Sequence, residues 1–285
     1  MTKPILTPER FPDGVYDAIP FATYCLIERV HFSTLKLMKD SAAHYKHGVE
    51  HPRKDTAALA FGRAVHTSVL EPERFPLEYV VFSGDKRKKE WKAFQAVNSD
   101  KQIVTEAEYE DCLAIGKAVR AHPLAAPYLA EGAVEKTILY THAATGIKCK
   151  CRIDKDSPLA TVDLKTTANP RPWAFERDAY KYRYRTQGAM YNDAERGVSG
   201  GEKPHVIIAI EKDAPHQPLV YEIPEESLER GREEYGHWLE RLAGCREHDV
   251  WPFEFVDEVR ELWEPSWALD EDEGPTVTVG GKPMF

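Results

Sequence analysis

The sequence lacks any long apolar run. Nowhere do about eighteen apolar residues follow one another, so no segment is expected to span a bilayer. The opening MTKPILTPERF has none of the apolar core of a signal peptide. Cysteine is scarce: Cys25, Cys112, Cys149, Cys151 and Cys245 form no Cys-x-x-Cys pair, and their odd number argues against a disulfide framework. A reducing, cytoplasmic setting is the expectation. No G-x-x-x-x-G-K-[ST] motif occurs, so no ATP-driven motor is expected. Internal repeats and obvious linkers are missing too, which leaves one mixed α/β domain over 1–267, with 268–285 as an acidic, mobile tail.

An excess of basic charge is also missing. Lys and Arg number 38 against 47 Asp and Glu, for a net charge of −9. That weighs against a protein that coats nucleic acid passively. It weighs less against one that grips a phosphate in a local basic groove while using carboxylates to hold a metal. With 42% hydrophobic and 30% charged residues, the chain is otherwise an ordinary globular protein with enough length for a substantial core.

Residues 1–30 read as irregular with short extended pieces. Ser33 is placed to cap a helix to about Tyr45, and His47 to Lys54 reads as a loop. A helix follows from about Thr56 to Leu70, ended by Glu71-Pro72. Residues 79–82 suit a strand, and the basic run Lys86 to Lys89 opens a helix through Trp91 and Phe94. Thr105 and Glu108 make a capping box for a helix to about Arg120. Val134–Tyr140 and Ile147–Asp154 flank the turn at Thr145-Gly146 as a hairpin, and Ala160–Lys165 is a third strand. One long helix is predicted from Trp173 to Glu195, then strands at 206–210 and 219–223, then an amphipathic helix at 225–247.

The chemistry concentrates in the middle. On a strand Ile147, Cys149, Cys151 and Ile153 share one face, and Lys148, Lys150, Arg152 and Asp154 the other. On the next strand Ala160, Val162 and Leu164 oppose Thr161, Asp163 and Lys165. Neighbouring strands would therefore bring Asp154, Asp163 and Lys165 together. Two carboxylates at one point repel unless a cation intervenes, and hard oxygen ligands suit Mg²⁺ or Mn²⁺. A lysine two residues on can orient or deprotonate a water, or offset developing charge. A solvated face with one salt bridge is the alternative reading. His66 lies on or near the buried stripe of its helix, as a ligand or a hydrogen-bonded core histidine. Tyr180, Tyr184, Gln187 and Tyr191 form a helical stripe flanked by Lys181, Arg183 and Arg185, either packing or a basic, aromatic nucleic-acid surface.

The order His66, Asp154 in CRIDK, Asp163-Leu164-Lys165 in VDLKTT, and Gln187 with Tyr191 in QGAMY resembles the PD-(D/E)XK nuclease superfamily. Within it the chain is similar to the RecE (exonuclease VIII)-like and RecB-type branch. HFSTLKLMKDSAAHY and FGRAVHTSVLEPERF also look like phage and prophage members, and the likeness spans roughly 15–250. The resemblance implies a restriction-endonuclease-like α/β core, a central mixed β-sheet flanked by helices, with a helical part at 1–130 and the catalytic core at 131–250. It implies that His66, Asp154, Asp163 and the main-chain carbonyl of Leu164 hold Mg²⁺, with Mn²⁺ able to substitute. Lys165 would be the catalytic lysine, Gln187 and Tyr191 would position phosphate, and Glu135 would assist at the metal or water. Some relatives carry an iron–sulfur cluster, but these cysteines cannot supply four flanking ligands, so none is expected. The implied activity is ATP-independent exonuclease digestion of linear duplex DNA, 5′ to 3′, leaving 3′ overhangs for a single-strand annealing recombinase, with a homo-oligomeric ring as the implied assembly. The alternatives are a structure-specific or single-strand endonuclease, and a DNA-binding recombination accessory protein without catalysis.

Overall fold

Two alternating segments joined by a tight turn, followed by a third, are enough to found a sheet, and here they form its centre. In the computed structural model, residues 10–17, 19–52, 54–85, 87–254, 259, 261–263, 278–279 and 282–283 are described. The chain divides into two units, Met1–Pro252 and Phe253–Phe285. In the first, β1 is Gly14–Tyr16, α1 Phe21–Leu26, α2 Phe32–Leu35, α3 Ala42–Glu50, α4 Ala57–Leu70 and α5 Phe75–Glu78. Then come β2 (Tyr79–Val81), α6 (Lys89–Val97), β3 (Gln102–Val104), α7 (Glu106–Ala121) and α8 (Ala126–Ala130). The second half holds β4 (Ala133–Thr141), β5 (Lys148–Asp156), β6 (Thr161–Thr167), α9 (Pro172–Tyr182) and α10 (Tyr184–Ser199). It closes with β7 (His205–Glu211), β8 (Pro218–Ile223) and α11 (Glu225–His248). In the second unit, Thr278–Val279 and Lys282–Pro283 pair antiparallel. The rest of the tail expected at 268–285 lies outside the described residues, as does Lys86 of the basic run.

Six strands make one mixed sheet in the order β1-β4-β5-β6-β7-β8. Within it, among the described residues, only β6 and β7 pair parallel, and α9 and α10 make the crossover between them. Val162, Leu164, Val206 and Ile208 pack against Val65 of α4 and Ile115 of α7 on one side. Ile207 and Ala209 meet Phe175 of α9, and Cys151 and Ile153 meet Ala194 of α10. Helices thus flank the mixed sheet, the α/β architecture expected. Among the described residues no helix is long and apolar enough to cross a membrane.

Four expectations need correction. His31, not Ser33, precedes α2, and the helix breaks after a 3-10 turn at Lys36–Lys39 because Ser41 caps a new one, its hydroxyl accepting from the His44 N–H at 3.1 Å. His47 to Glu50 is therefore helical rather than loop. The irregular N-terminal stretch contains α1. Its carbonyls at Tyr24 and Ile27 accept from the Lys150 ammonium at 2.7 and 2.8 Å, so the polar face of β5 is roofed at Lys150 while Lys148 stays exposed. Finally, the single helix predicted over 173–195 is two, broken at Arg183, which sits in the left-handed region at φ 61. No proline or glycine marks that break.

Candidate active site

Strands β5 and β6 pair only at Lys155↔Val162 and Asp156↔Thr161, then part. Asp154 stands at the fork. Its Oδ2 accepts the main-chain N–H of Leu164 at 2.8 Å in place of a ladder bond. On its other side, β4 runs in register with β5 except opposite Asp154 itself, where Glu135 adopts φ 54. A non-glycine residue in that region carries a local backbone cost, and such positions concentrate at functional sites. Alternation breaks here too: Ile153 packs toward α10, yet Asp156, three residues on, also meets an α10 partner network through Lys136 and Glu195. The strict alternation read from the sequence therefore holds only up to Ile153.

From α4, His66 reaches this fork. Its Nε2 lies 3.0 Å from the Leu164 carbonyl oxygen and its Nδ1 3.6 Å from Asp154 Oδ2. The N-cap of α4 is Thr56, which accepts from Leu59 N–H, and Ala64, Val65, Ser68 and Val69 bury the helix beside β6. His66 follows that stripe and ends half-buried at the sheet. His66, Glu135 and Asp154 each offer a ligand atom, and the three atoms lie within 4.8 Å of one another.

Asp163 and Lys165 stand next to this group rather than in it. They form a close ion pair on β6, with side chains 5% and 18% exposed. Burial would raise the Asp163 carboxyl, but the Lys165 ammonium and His205 hold it below the ordinary carboxylate value. Burial likewise opposes charge on Lys165, and Asp163 and Asp154 outweigh it. Asp154 goes the other way: burial, with Asp163 and Glu135 adding negative charge, pushes it up to about 7 against the opposing pull of His66 and Lys165. A surplus of carboxylate over cation at a half-closed site is the condition a divalent ion relieves. The mixed N and O donors suit a divalent metal ion, and 3.0 Å between His66 Nε2 and the Leu164 oxygen is about the spacing of adjacent ligands around such an ion.

Gln187 and Tyr191 sit half-buried on α10, the Gln187 side chain beside the Tyr191 phenol, whose surroundings include Asp163 and Tyr24. The glycine between them, Gly188, has a clear reason. A Cβ there would stand 2.6 Å from the His205 ring, so only glycine lets α10 lie this close to β7. His205 is buried, with Nδ1 2.8 Å from Thr161 Oγ1 and Nε2 without a partner among the described residues. Burial pushes it down to about 4, so it stays neutral beneath Asp163 and Lys165.

Sequence reasoning missed Arg152 and His205 as participants and left Tyr184 in a stripe open between packing and a nucleic-acid surface. Arg152 pairs closely with Glu135 and donates to the Ile19 carbonyl at 2.9 Å, holding the acid at the fork. His205 supports the floor of the site. Tyr184 places its ring 5.1 Å from the Lys165 ammonium. The signal pointing to His205 was the lone Gly188 in an otherwise good helix.

Comparison with known proteins agrees with this geometry. Among curated proteins none matches the sequence. A crystal structure of a "Putative exonuclease" from Eubacterium rectale superposes with a TM-score of 0.58 at 16% identity, covering 87% of this chain and 94% of that one. At that identity the likeness speaks for the fold. A family model described as a PDDEXK-like domain of unknown function (DUF3799) matches residues 31–257, which take in the fork, five of the six strands of the sheet (β4 to β8) and the helices α4, α7, α9, α10 and α11. The chain belongs to that family of PDDEXK-like domains, within the PD-(D/E)XK nuclease superfamily.

Proposed function

We propose that this protein is a divalent-metal-dependent deoxyribonuclease, and in particular an ATP-independent exonuclease acting on linear double-stranded DNA. The observation that carries the reading is the convergence of His66, Glu135 and Asp154 beside the Asp163–Lys165 pair at a fork in the sheet. His66, Glu135 and Asp154 would hold the ion with the Leu164 carbonyl, and Asp163 would add Oδ1, the oxygen opposite the one paired with Lys165. Such an ion acidifies a bound water and neutralises charge on the phosphate under attack. Lys165, fixed by Asp163 and by the Tyr184 ring, presents its ammonium where that charge develops. Asp154 accepts the Leu164 N–H, which fixes the strand whose carbonyl would join His66 at the ion. Gln187 and Tyr191 would orient the scissile or neighbouring phosphate, and α10 is seated for this by Gly188 on His205.

The E. rectale relative is described as an exonuclease, which favours end-dependent digestion over internal cutting. The 5′ to 3′ direction, the supply of 3′ overhangs to an annealing recombinase, a ring assembly and a phage origin belong to the same proposal. A structure-specific or single-strand endonuclease is the competing reading. Incubating purified protein and Mg²⁺ with linear and covalently closed circular duplexes separates them. The exonuclease degrades the linear molecule and spares the circle. Relaxation or linearisation of the circle would show an endonuclease instead.

A further inference from the structure

Residues two apart in a continuous helix point to opposite sides and cannot touch. Tyr182 and Tyr184 nevertheless stack, with ring centroids 5.9 Å apart and planes 25° from parallel. The left-handed backbone at Arg183 between them makes this possible. That conformation is unfavourable for an L-residue, so something must hold it. Helix α11 does. Glu234 lies 3.3 Å from Arg183 and 3.9 Å from Arg185 and bonds the Thr186 hydroxyl, while Gly231 lets α11 approach so closely that a Cβ would meet the Arg185 carbonyl at 2.6 Å.

The inner ring of the pair, Tyr184, covers the Lys165 ammonium. The outer ring, Tyr182, is 42% exposed, and Trp173 and Tyr180 on the same helix are each 63% exposed. Three large rings left in water on one helix, one of them stacked on the ring that covers Lys165, forfeit burial that a folded chain normally takes. From Arg171 to Arg185 the segment carries five basic residues against two acidic ones, in a chain of net charge −9. Lys181 sits 5.4 Å from the Tyr182 ring centroid, and the Arg183 guanidinium 4.6 Å from that of Tyr180.

Resting on the nuclease reading above, we propose that Tyr182, backed by Tyr184, is a stacking platform for a nucleobase of an unpaired DNA strand whose phosphate lies at Lys165. Stacking on an aromatic face is open to any base, whereas bases inside a duplex have no free face to offer. Lys181 and its basic neighbours supply the attraction for the backbone of that strand. The kink at Arg183 is the device that turns two helical tyrosines into one continuous surface running outward from the catalytic lysine.

The test is fluorescence anisotropy with a labelled single-stranded oligodeoxynucleotide in EDTA, alongside cleavage of linear duplex by the wild type in Mg²⁺ or Mn²⁺. Tyr182→Ala should weaken binding about tenfold, the effect of losing one stacked base, and Tyr182→Trp should restore it. An abasic oligonucleotide of equal length should bind the wild type as weakly as the base-bearing one binds Tyr182→Ala. Equal affinity of wild type and Tyr182→Ala, or of abasic and normal strands for the wild type, overturns the platform even if the wild type cuts DNA. A wild type that cuts nothing overturns the nuclease reading, while base-dependent binding lost in Tyr182→Ala would still support the platform.

Discussion

Gly188→Ala probes how the site is seated, because its effect should change sign with one neighbour. In the wild type the new Cβ meets His205 Cδ2 at 2.6 Å, Cγ at 2.9 Å and Nε2 at 3.1 Å, all inside ordinary contact distance. His205 is 1% exposed and tied to Thr161 at 2.8 Å, so its ring cannot swing aside without losing a buried hydrogen bond. Overpacking of this kind costs about 1–3 kcal/mol. Replacing glycine by alanine inside a helix returns about 1 kcal/mol through propensity. The net expectation is a loss of roughly 0–2 kcal/mol. In a His205→Ala background the clash is gone, and the same substitution should stabilise by about 1 kcal/mol. Urea denaturation of the four proteins of the cycle gives each value. Cleavage by folded Gly188→Ala should also slow, since a displaced α10 carries Gln187 and Tyr191 with it. Equal costs of Gly188→Ala in the two backgrounds would refute the reasoning.

Adding Mn²⁺ to the metal-free protein should raise its Tm, by the equivalent of about 2.7 kcal/mol at a hundred times Kd. Glu135→Ala should shift that response to higher Mn²⁺, and an unchanged response would remove Glu135 from the ligand set. Lys150 is buried with no carboxylate beside it among the described residues, and burial pushes its pKa from 10.5 down to about 8. A depressed amine pKa means that stability is recovered as pH rises from about 8 to 10.5. Relative to Lys150→Met, the wild type should therefore gain on the order of 3 kcal/mol between pH 7 and 10.5 in denaturant titrations; a flat difference would show the amine already solvated. Glu195 sits 2% exposed between Lys136 at 3.5 Å and Lys203 at 3.4 Å, away from the fork. Asp156 keeps both lysines paired, at 2.6 and 2.7 Å, so Glu195→Ala should cost about 1–3 kcal/mol while leaving cleavage per folded molecule intact.

What the sequence showed was what local chemistry decides. The Thr105–Glu108 capping box starts α7 where expected, Thr56 caps α4, and the hairpin and the D-x-K strand fall within a residue or two of their predicted ends. What it hid depends on distant partners. Arg183 turns left-handed because α11, some fifty residues on, holds it there, and nothing within α9 or α10 announces that. The burial of Lys150 did not show because its acceptors are the carbonyls of Tyr24 in α1 and of Ile27 just after it, more than a hundred residues away. Alternation alone put Asp154, Asp163 and Lys165 on one face. In the structure β5 and β6 diverge at this point, and the fork they leave groups Asp154 with His66 and Glu135, while Asp163 pairs with Lys165.

The central claim is that this fork is a metal-dependent phosphodiesterase centre. The most direct measurement is digestion of an end-labelled linear duplex by wild type, Asp154→Ala and Lys165→Ala, each with Mg²⁺ and with EDTA, and with circular dichroism to confirm folding. The account predicts cleavage by the wild type with Mg²⁺ alone, and loss of a hundredfold or more in both folded variants, on the order of removing a principal charge-stabilising group. Wild-type cleavage in EDTA, or a folded Lys165→Ala that cuts as fast as the wild type, would contradict it.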